Sequence, residues 1–147
     1  MTVPDAAVEV AIRSVVDRYF FAADTGDAGL MLSCFAAPFR FELRLNPTIV
    51  LTTPDALRRM LRGFEAPTAS NHGASNIAVT MTAAGATSIT HATAQLYMKK
   101  TGKVLVRGLR YSDRWVRVGD DWRIAERLHE PRWQYDAPAT EPAVALR

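Results

Sequence analysis

Between Ala74 and His129 the chain offers four long strand-like segments, Ala74 to Thr82, Ser88 to Lys99, Val104 to Val118 and Trp122 to His129, parted by only a few residues each. Ala83-Ala84-Gly85-Ala86, Thr101-Gly102 and Gly119-Asp120-Asp121 carry turn chemistry. Links this short join antiparallel neighbours, because a parallel return needs a crossover of about a dozen residues or more. The rear of the chain therefore reads as a meander of long hairpins. A twisted sheet of that kind must be covered on one face.

The front of the chain supplies the cover. Ala7, Val8, Ala11, Val15, Val16, Tyr19 and Phe20 recur at three- and four-residue steps behind Asp5, an N-cap residue, and Thr25-Gly26 predicts the helix end. Asp27 then caps a short second helix through Leu30, Met31 and Cys34. Phe39, Phe41 and Leu43 alternate with Arg40, Glu42 and Arg44, the period of a half-buried strand, and Thr48 to Leu51 returns after the Asn46-Pro47 turn. Thr53-Pro54-Asp55 opens a third helix with Leu57, Met60, Leu61 and Phe64 on its apolar side, ending before Pro67. Ala66 to Gly73 reads as a polar loop. The expected architecture is α+β, three N-terminal helices on a curved antiparallel or mixed sheet. Residues 1–137 form one domain in this reading, and the Ala- and Pro-rich stretch 138–147 a mobile tail.

A chain of 147 residues can bury one sizeable core without a disulfide or metal staple. Eighteen Lys plus Arg against fifteen Asp plus Glu leave a formal +3, but the arginines are interleaved with acids. The densest basic stretch, Lys99-Lys100-Thr101-Gly102-Lys103, carries a turn signal and reads as a hairpin tip, so no nucleic-acid partner is expected. The lone Cys34 favours a reducing compartment, the cytoplasm by default. No apolar run of about eighteen residues suggests a membrane span. His72, His91 and His129 stand at no short ligand spacing, so no metal is expected. There is no Gly-rich phosphate loop and no Gly-x-Ser-x-Gly elbow. Proton transfer without a cofactor is the least demanding chemistry left.

Three stretches carry a resemblance: Tyr19-Phe20-Phe21-Ala22-Ala23-Asp24-Thr25-Gly26-Asp27, Ser70-Asn71-His72-Gly73-Ala74-Ser75-Asn76, and Tyr111-Ser112-Asp113-Arg114-Trp115 through Asp121-Trp122-Arg123-Ile124. Together with the order of elements they resemble the SnoaL-like branch of the nuclear transport factor 2-like superfamily, over roughly residues 6 to 135. The resemblance implies a cone-shaped α+β barrel enclosing a pocket. Its mouth serves dehydratases, isomerases, dehydrohalogenases, cyclases and also non-catalytic subunits, so the fold constrains activity loosely. Within the branch the chain looks most similar to scytalone dehydratase-like enzymes, a group that includes bile-acid dehydratases and the hexachlorocyclohexane dehydrochlorinase. Their site pairs an Asp at the end of the first helix with a His entering the meander, which the resemblance carries onto Asp24 and His72. Tyr19 matches a Tyr five residues before the Asp in the bile-acid enzymes, where the dehydrochlorinase has Lys. Arg127 matches the dehydrochlorinase's basic residue in the last strand. The second active-site His of the fungal melanin-pathway dehydratase falls near Met98 and Lys99 and has no counterpart, which argues against the same substrate.

The chemistry of these residue types fits proton abstraction. Histidine takes and returns a proton near neutrality, and a carboxylate bonded to one ring nitrogen fixes its tautomer and stabilises the imidazolium. Asp24 and His72 meet only through tertiary structure. Without that meeting, Asp24 is a corner cap and His72 a surface residue. Five residues advance a helix by about 500°, or about 140° net, so Tyr19 and Asp24 need not share a face. Arg127 either stabilises an enolate or leaving anion or pairs with Glu126 or Glu130 on an outward position. Phe20, Phe39, Leu61, Phe64, Tyr97, Trp115 and Trp133 are the expected apolar lining, with Asn76 and Asn71 flanking His72. The reading is a cofactor-independent, dehydratase-type lyase for a small hydrophobic, cyclic, carbonyl-activated substrate. An isomerase or cyclase using the same dyad, and a non-catalytic subunit such as the β subunit of ring-hydroxylating dioxygenases, are the alternatives. The stripe Leu105, Arg107, Leu109, Tyr111 is expected on the outer sheet face, where it would support a homodimer or homotrimer.

Overall fold

A computed structural model describes residues 2–63 and 69–140. Its elements are α1 (Ala6–Thr25), α2 (Ala28–Leu32), β1 (Phe35–Leu43), β2 (Ile49–Leu51), α3 (Pro54–Gly63), β3 (Ala69–Thr82), β4 (Gly85–Met98), β5 (Lys103–Val118) and β6 (Asp121–Pro138). The six strands form one open sheet in the order β2-β1-β6-β5-β4-β3. Only β1 and β6 run parallel; the remaining neighbours are antiparallel. The sheet is therefore mixed, and α1 crosses its covered face to give the α+β cone.

Local chemistry sets the helix ends. Asp5 Oδ1 accepts from the Val8 amide at 2.8 Å, and Asp27 Oδ1 accepts from the Leu30 amide at 2.9 Å. Gly26 closes α1 in the left-handed region, φ 69°, where a side chain would be strained. Ile12, Val15, Val16, Tyr19 and Phe20 form the buried stripe of α1. Full burial of such a side chain stabilises by about 1.5 to 3 kcal/mol. Among the described residues no helix is long and apolar enough to cross a membrane.

Three bulges decide which side chains face α1, because each extra residue inverts the alternation of a strand. In β3 the register jumps between Ala74 and Asn76, so His72 shares a face with Ile77, Val79 and Met81 although the spacing is odd. In β6 the register jumps between Ile124 and Glu126, opposite Trp115 and Arg114, which brings Ile124, Arg127 and His129 to one face. A further jump pairs Leu109 with Pro131 and Gly108 with Trp133, leaving Arg132 unmatched.

The strands are longer than expected. The stretch read as a loop is in part strand, since β3 starts at Ala69 and His72 pairs with Ala94. Pairing with β4 overrides the weak strand propensity of Ser, Asn and Gly. Likewise β6 passes through Pro131 to Pro138, because the bulge accommodates the proline. Leu109 and Tyr111 are buried against α1 and not on the outer face: register with Ala92 and Thr90 places their stripe inside. Of the expected tail, residues 141–147 lie outside the described residues.

Candidate active site

Asp24 stands in the last turn of α1, at the negative end of the helix dipole, a poor place for a carboxylate without donors. β3 supplies three. Ser70 donates its hydroxyl to Oδ1 at 2.7 Å, the His72 amide donates to Oδ2 at 2.9 Å, and His72 Nδ1 lies 2.6 Å from Oδ1. Burial pushes the Asp24 carboxyl up, but the hydrogen bonds from His72 and Ser70 outweigh it and hold the group below the usual carboxylate range. An ionised carboxylate only accepts, so Nδ1 donates to Asp24 and Nε2 is the ring nitrogen left for another partner. Among the described residues Nε2 has no hydrogen-bond partner, and it is not one of the sealed polar atoms.

The ring of His72 stacks on Phe20, centroids 5.7 Å apart and planes 11° off parallel. Both residues, with Asp24, Ser70 and the exposed Phe21, line a groove of about 400 Å³ between α1 and β3. An imidazole oriented by a carboxylate thus borders a half-apolar recess.

Tyr19 and Arg127 belong to a second cluster behind Phe20. Tyr19 is buried with its ring against Phe35, Phe41 and Tyr111, so the interior of the cone is filled largely by aromatic rings. Arg127 makes a two-pronged ion pair with Asp113, both N···O distances 2.8 Å, and its guanidinium lies 4.2 Å from the Tyr19 ring centroid. Of the two alternatives for Arg127, the outward pairing with Glu126 or Glu130 does not hold, since its partner is Asp113. Those acids bind Arg114 and Arg44, because the bulge turns Arg127 inward. Burial pushes the phenols of Tyr19 and Tyr111 up, so both stay protonated. Phe20 touches His72 on one side and Tyr111 on the other and is the ring that separates the two clusters.

Most of the expected lining is elsewhere. Phe39 packs on Phe35 within the core, and Trp115 is fully buried with its indole N–H donating to Ser88. Trp133, expected at the pocket, stands instead on the outer face, 54% exposed and stacked on Tyr135. The unmatched Arg132 inverts the alternation there, and the Trp133 indole fills the space over Gly108. Asn76 and Tyr97 pair with His91 and Ala69 on that outer face too. Leu61 packs at the edge of the core, and Phe64 lies outside the described residues. Ser70 and Asp113 were not singled out from sequence. The signal for Asp113 was an acid at an inward step between Tyr111 and Trp115, which calls for a buried cation. Among the described residues no three His, Cys, Asp or Glu side chains gather as a metal site.

The family described as SnoaL-like domain matches residues 4–128. No curated protein sequence matches the chain. Among solved structures, hexachlorocyclohexane dehydrochlorinase LinA-type3 from Novosphingobium barchaimii is similar at TM-score 0.80 and 10% identity, over 92% of this chain and 96% of that one. A candidate scytalone dehydratase from Novosphingobium aromaticivorans aligns at TM-score 0.80 and 18% identity, over 91% and 90%. Aln2 from a Streptomyces species aligns at TM-score 0.73 and 24% identity, over 88% and 94%. Identities this low bear on the fold.

Proposed function

The chain belongs to the SnoaL-like domain family, and on that footing we propose that it is a cofactor-independent lyase of the dehydratase type. His72 Nε2 removes a proton from a carbon activated by a neighbouring carbonyl of a small, hydrophobic, cyclic substrate. The C–C double bond forms as the bond to the β-substituent breaks; a departing hydroxyl takes the proton back from the imidazolium and leaves as water, while another substituent leaves as its anion. Asp24 holds the ring and offsets the charge of the imidazolium. The observation that carries the reading is the 2.6 Å contact between two groups 48 residues apart, with Nε2 unpaired among the described residues. The names of the dehydrochlorinase and the dehydratase that share the fold are those of eliminating enzymes, which supports the same direction. Tyr19 and Arg127 enter the scheme from behind Phe20. A substrate that swings this ring aside brings its carbonyl oxygen to them while its acidic carbon stays at His72.

The test is turnover of a panel of cyclic β-hydroxy ketones followed by product mass. Loss of one water from the product, with His72→Ala slower by about 10² to 10⁴, is the expected result for general-base catalysis. An unchanged product mass moves the assignment to an isomerase or cyclase, and an unaffected His72→Ala removes it. The outer sheet face, where Arg40–Glu42 and Arg114–Glu126 pairs surround Ile89 and Leu128, suits a second copy, as a homodimer or homotrimer. Light scattering that returns the monomer mass counts against this. The buried, unpaired thiol of Cys34 fits a reducing cytoplasm.

A further inference from the structure

The covered face of the sheet holds polar atoms that the Asp24–His72 chemistry does not use. Thr90 on β4, Tyr111 on β5 and His129 on β6 stand in register across three neighbouring strands. Arg127 precedes His129 by two residues, so all four side chains share one face. The Arg127 guanidinium lies 4.7 Å from the Tyr111 ring centroid, and the His129 ring meets the same ring edge-on at 5.2 Å. Around Tyr111, three atoms are sealed from solvent without a hydrogen-bond partner among the described residues: Thr90 Oγ1, Arg127 Nη1 and His129 Nδ1. Their residues are 0%, 2% and 8% exposed. Buried polar atoms are almost always paired, so three orphans around one ring point to a bound water or ligand as their partner.

We propose that Thr90, Arg127 and His129 form an inner polar subsite that takes the neutral oxygen functions, carbonyl or hydroxyl, of a flat cyclic ligand entering from the groove past Phe20. Charge decides the class. Asp113 already cancels Arg127 through two 2.8 Å bonds. Burial, followed by Arg127 and Arg107, pushes the His129 imidazole down to about 4, so it is neutral near pH 7. An anion brought here would surrender its water with no net positive charge to replace it. A bare hydrocarbon would leave the orphan atoms unpaired, which is the situation in which a site discriminates most strongly. A neutral oxygen avoids both penalties. Phe20 contacts both this row and His72, at 5.7 Å from Tyr111 and 5.7 Å from His72. The subsite rests on the proton-transfer reading in one respect, that the same ligand presents its acidic carbon to His72.

The test uses the intact protein and three probes on one skeleton, 1-indanone, indane and indane-1-carboxylate, titrated while histidine ring resonances are followed by NMR. The expected result is that 1-indanone shifts the His129 signals and binds about tenfold tighter than indane, the worth of one net hydrogen bond. The carboxylate binds no better than indane. Thr90→Val and His129→Phe lower the ketone to the hydrocarbon's affinity, and their unchanged binding of indane shows that they fold. The proposal is overturned if no probe binds, if the ketone preference is missing in the parent or survives in both variants, or if the carboxylate is preferred. His72→Ala separates this from the catalytic reading. It retains the ketone preference if the subsite is right, and it loses turnover only if the base assignment is right.

Discussion

Replacing Asp113 with alanine strips the Arg127 guanidinium of its counter-charge in a place water does not reach, since neither side chain has any exposed area. Removing one member of a buried pair costs about 3 to 5 kcal/mol, because the other charge stays behind. The Tyr19 and Tyr111 rings, at 4.2 and 4.7 Å from the guanidinium carbon, remain to stabilise it. Each desolvated cation–π contact contributes up to about 2 kcal/mol, so the loss should fall at the lower end, about 3 kcal/mol. That is a large share of the about 5 to 15 kcal/mol that holds a domain together. Urea unfolding followed by tryptophan fluorescence reads it directly. With a slope of about 2 kcal/mol per molar, the midpoint drops by about 1.5 M. The double variant Asp113→Leu, Arg127→Met should recover most of that, because apolar groups of similar volume replace a buried pair at little or no loss. A midpoint for Asp113→Ala within about 0.3 M of the parent, or a double variant less stable than the single, refutes the reasoning.

His129 makes stability fall with acid. Its folded pKa of about 4 lies below the unfolded value of about 6.5, so the unfolded chain binds the extra proton first. Stability is full above about pH 6.5 and declines by about 3 kcal/mol as the pH falls to about 4; a urea midpoint series flattened by His129→Phe checks it. Asp24, whose folded pKa is lowered, contributes stability that is lost as pH falls through that lowered value, so Asp24→Asn should flatten the profile below the ordinary carboxylate range. The same Asp24→Asn should lower kcat by about 10² or more with a smaller change in KM, measured on whichever β-hydroxy ketone turns over. Gly108→Ala puts a methyl group 2.0 Å from Trp133 Cε2. The indole must leave its seat, destabilising by about 1 to 3 kcal/mol and shifting tryptophan emission towards the exposed limit.

Features written in consecutive residues were legible, and those set by register were not. Asp5 and Asp27 identify two helix starts, and Thr25-Gly26 identifies the corner that exposes Asp24 to β3. The resemblance brings Asp24 and His72 together, and the two side chains lie 2.6 Å apart. Periodicity alone offered no reason to join them. Arg127 was visible as a charged residue near the end of the meander. Its partner was hidden, because the inward turn depends on one extra residue near Ala125. Trp133 failed for the same reason one bulge later, where Arg132 moves every following side chain to the opposite face. Unmatched residues of this kind leave no mark in composition or hydropathy.

β6 runs parallel to β1 in the middle of the sheet, and Arg44 meets Glu130 across 86 intervening steps of chain. Closing a loop of that length takes about 4 kcal/mol of chain entropy before any strand pairing offsets it. The first strand and its short partner consequently wait, unpaired on one side, until β6 has been synthesised. Folding then depends on one long-range pairing, of the kind that is slow by the measure of contact distance. Any truncation that removes β6 splits the sheet at its centre and leaves α1 with no complete surface to cover.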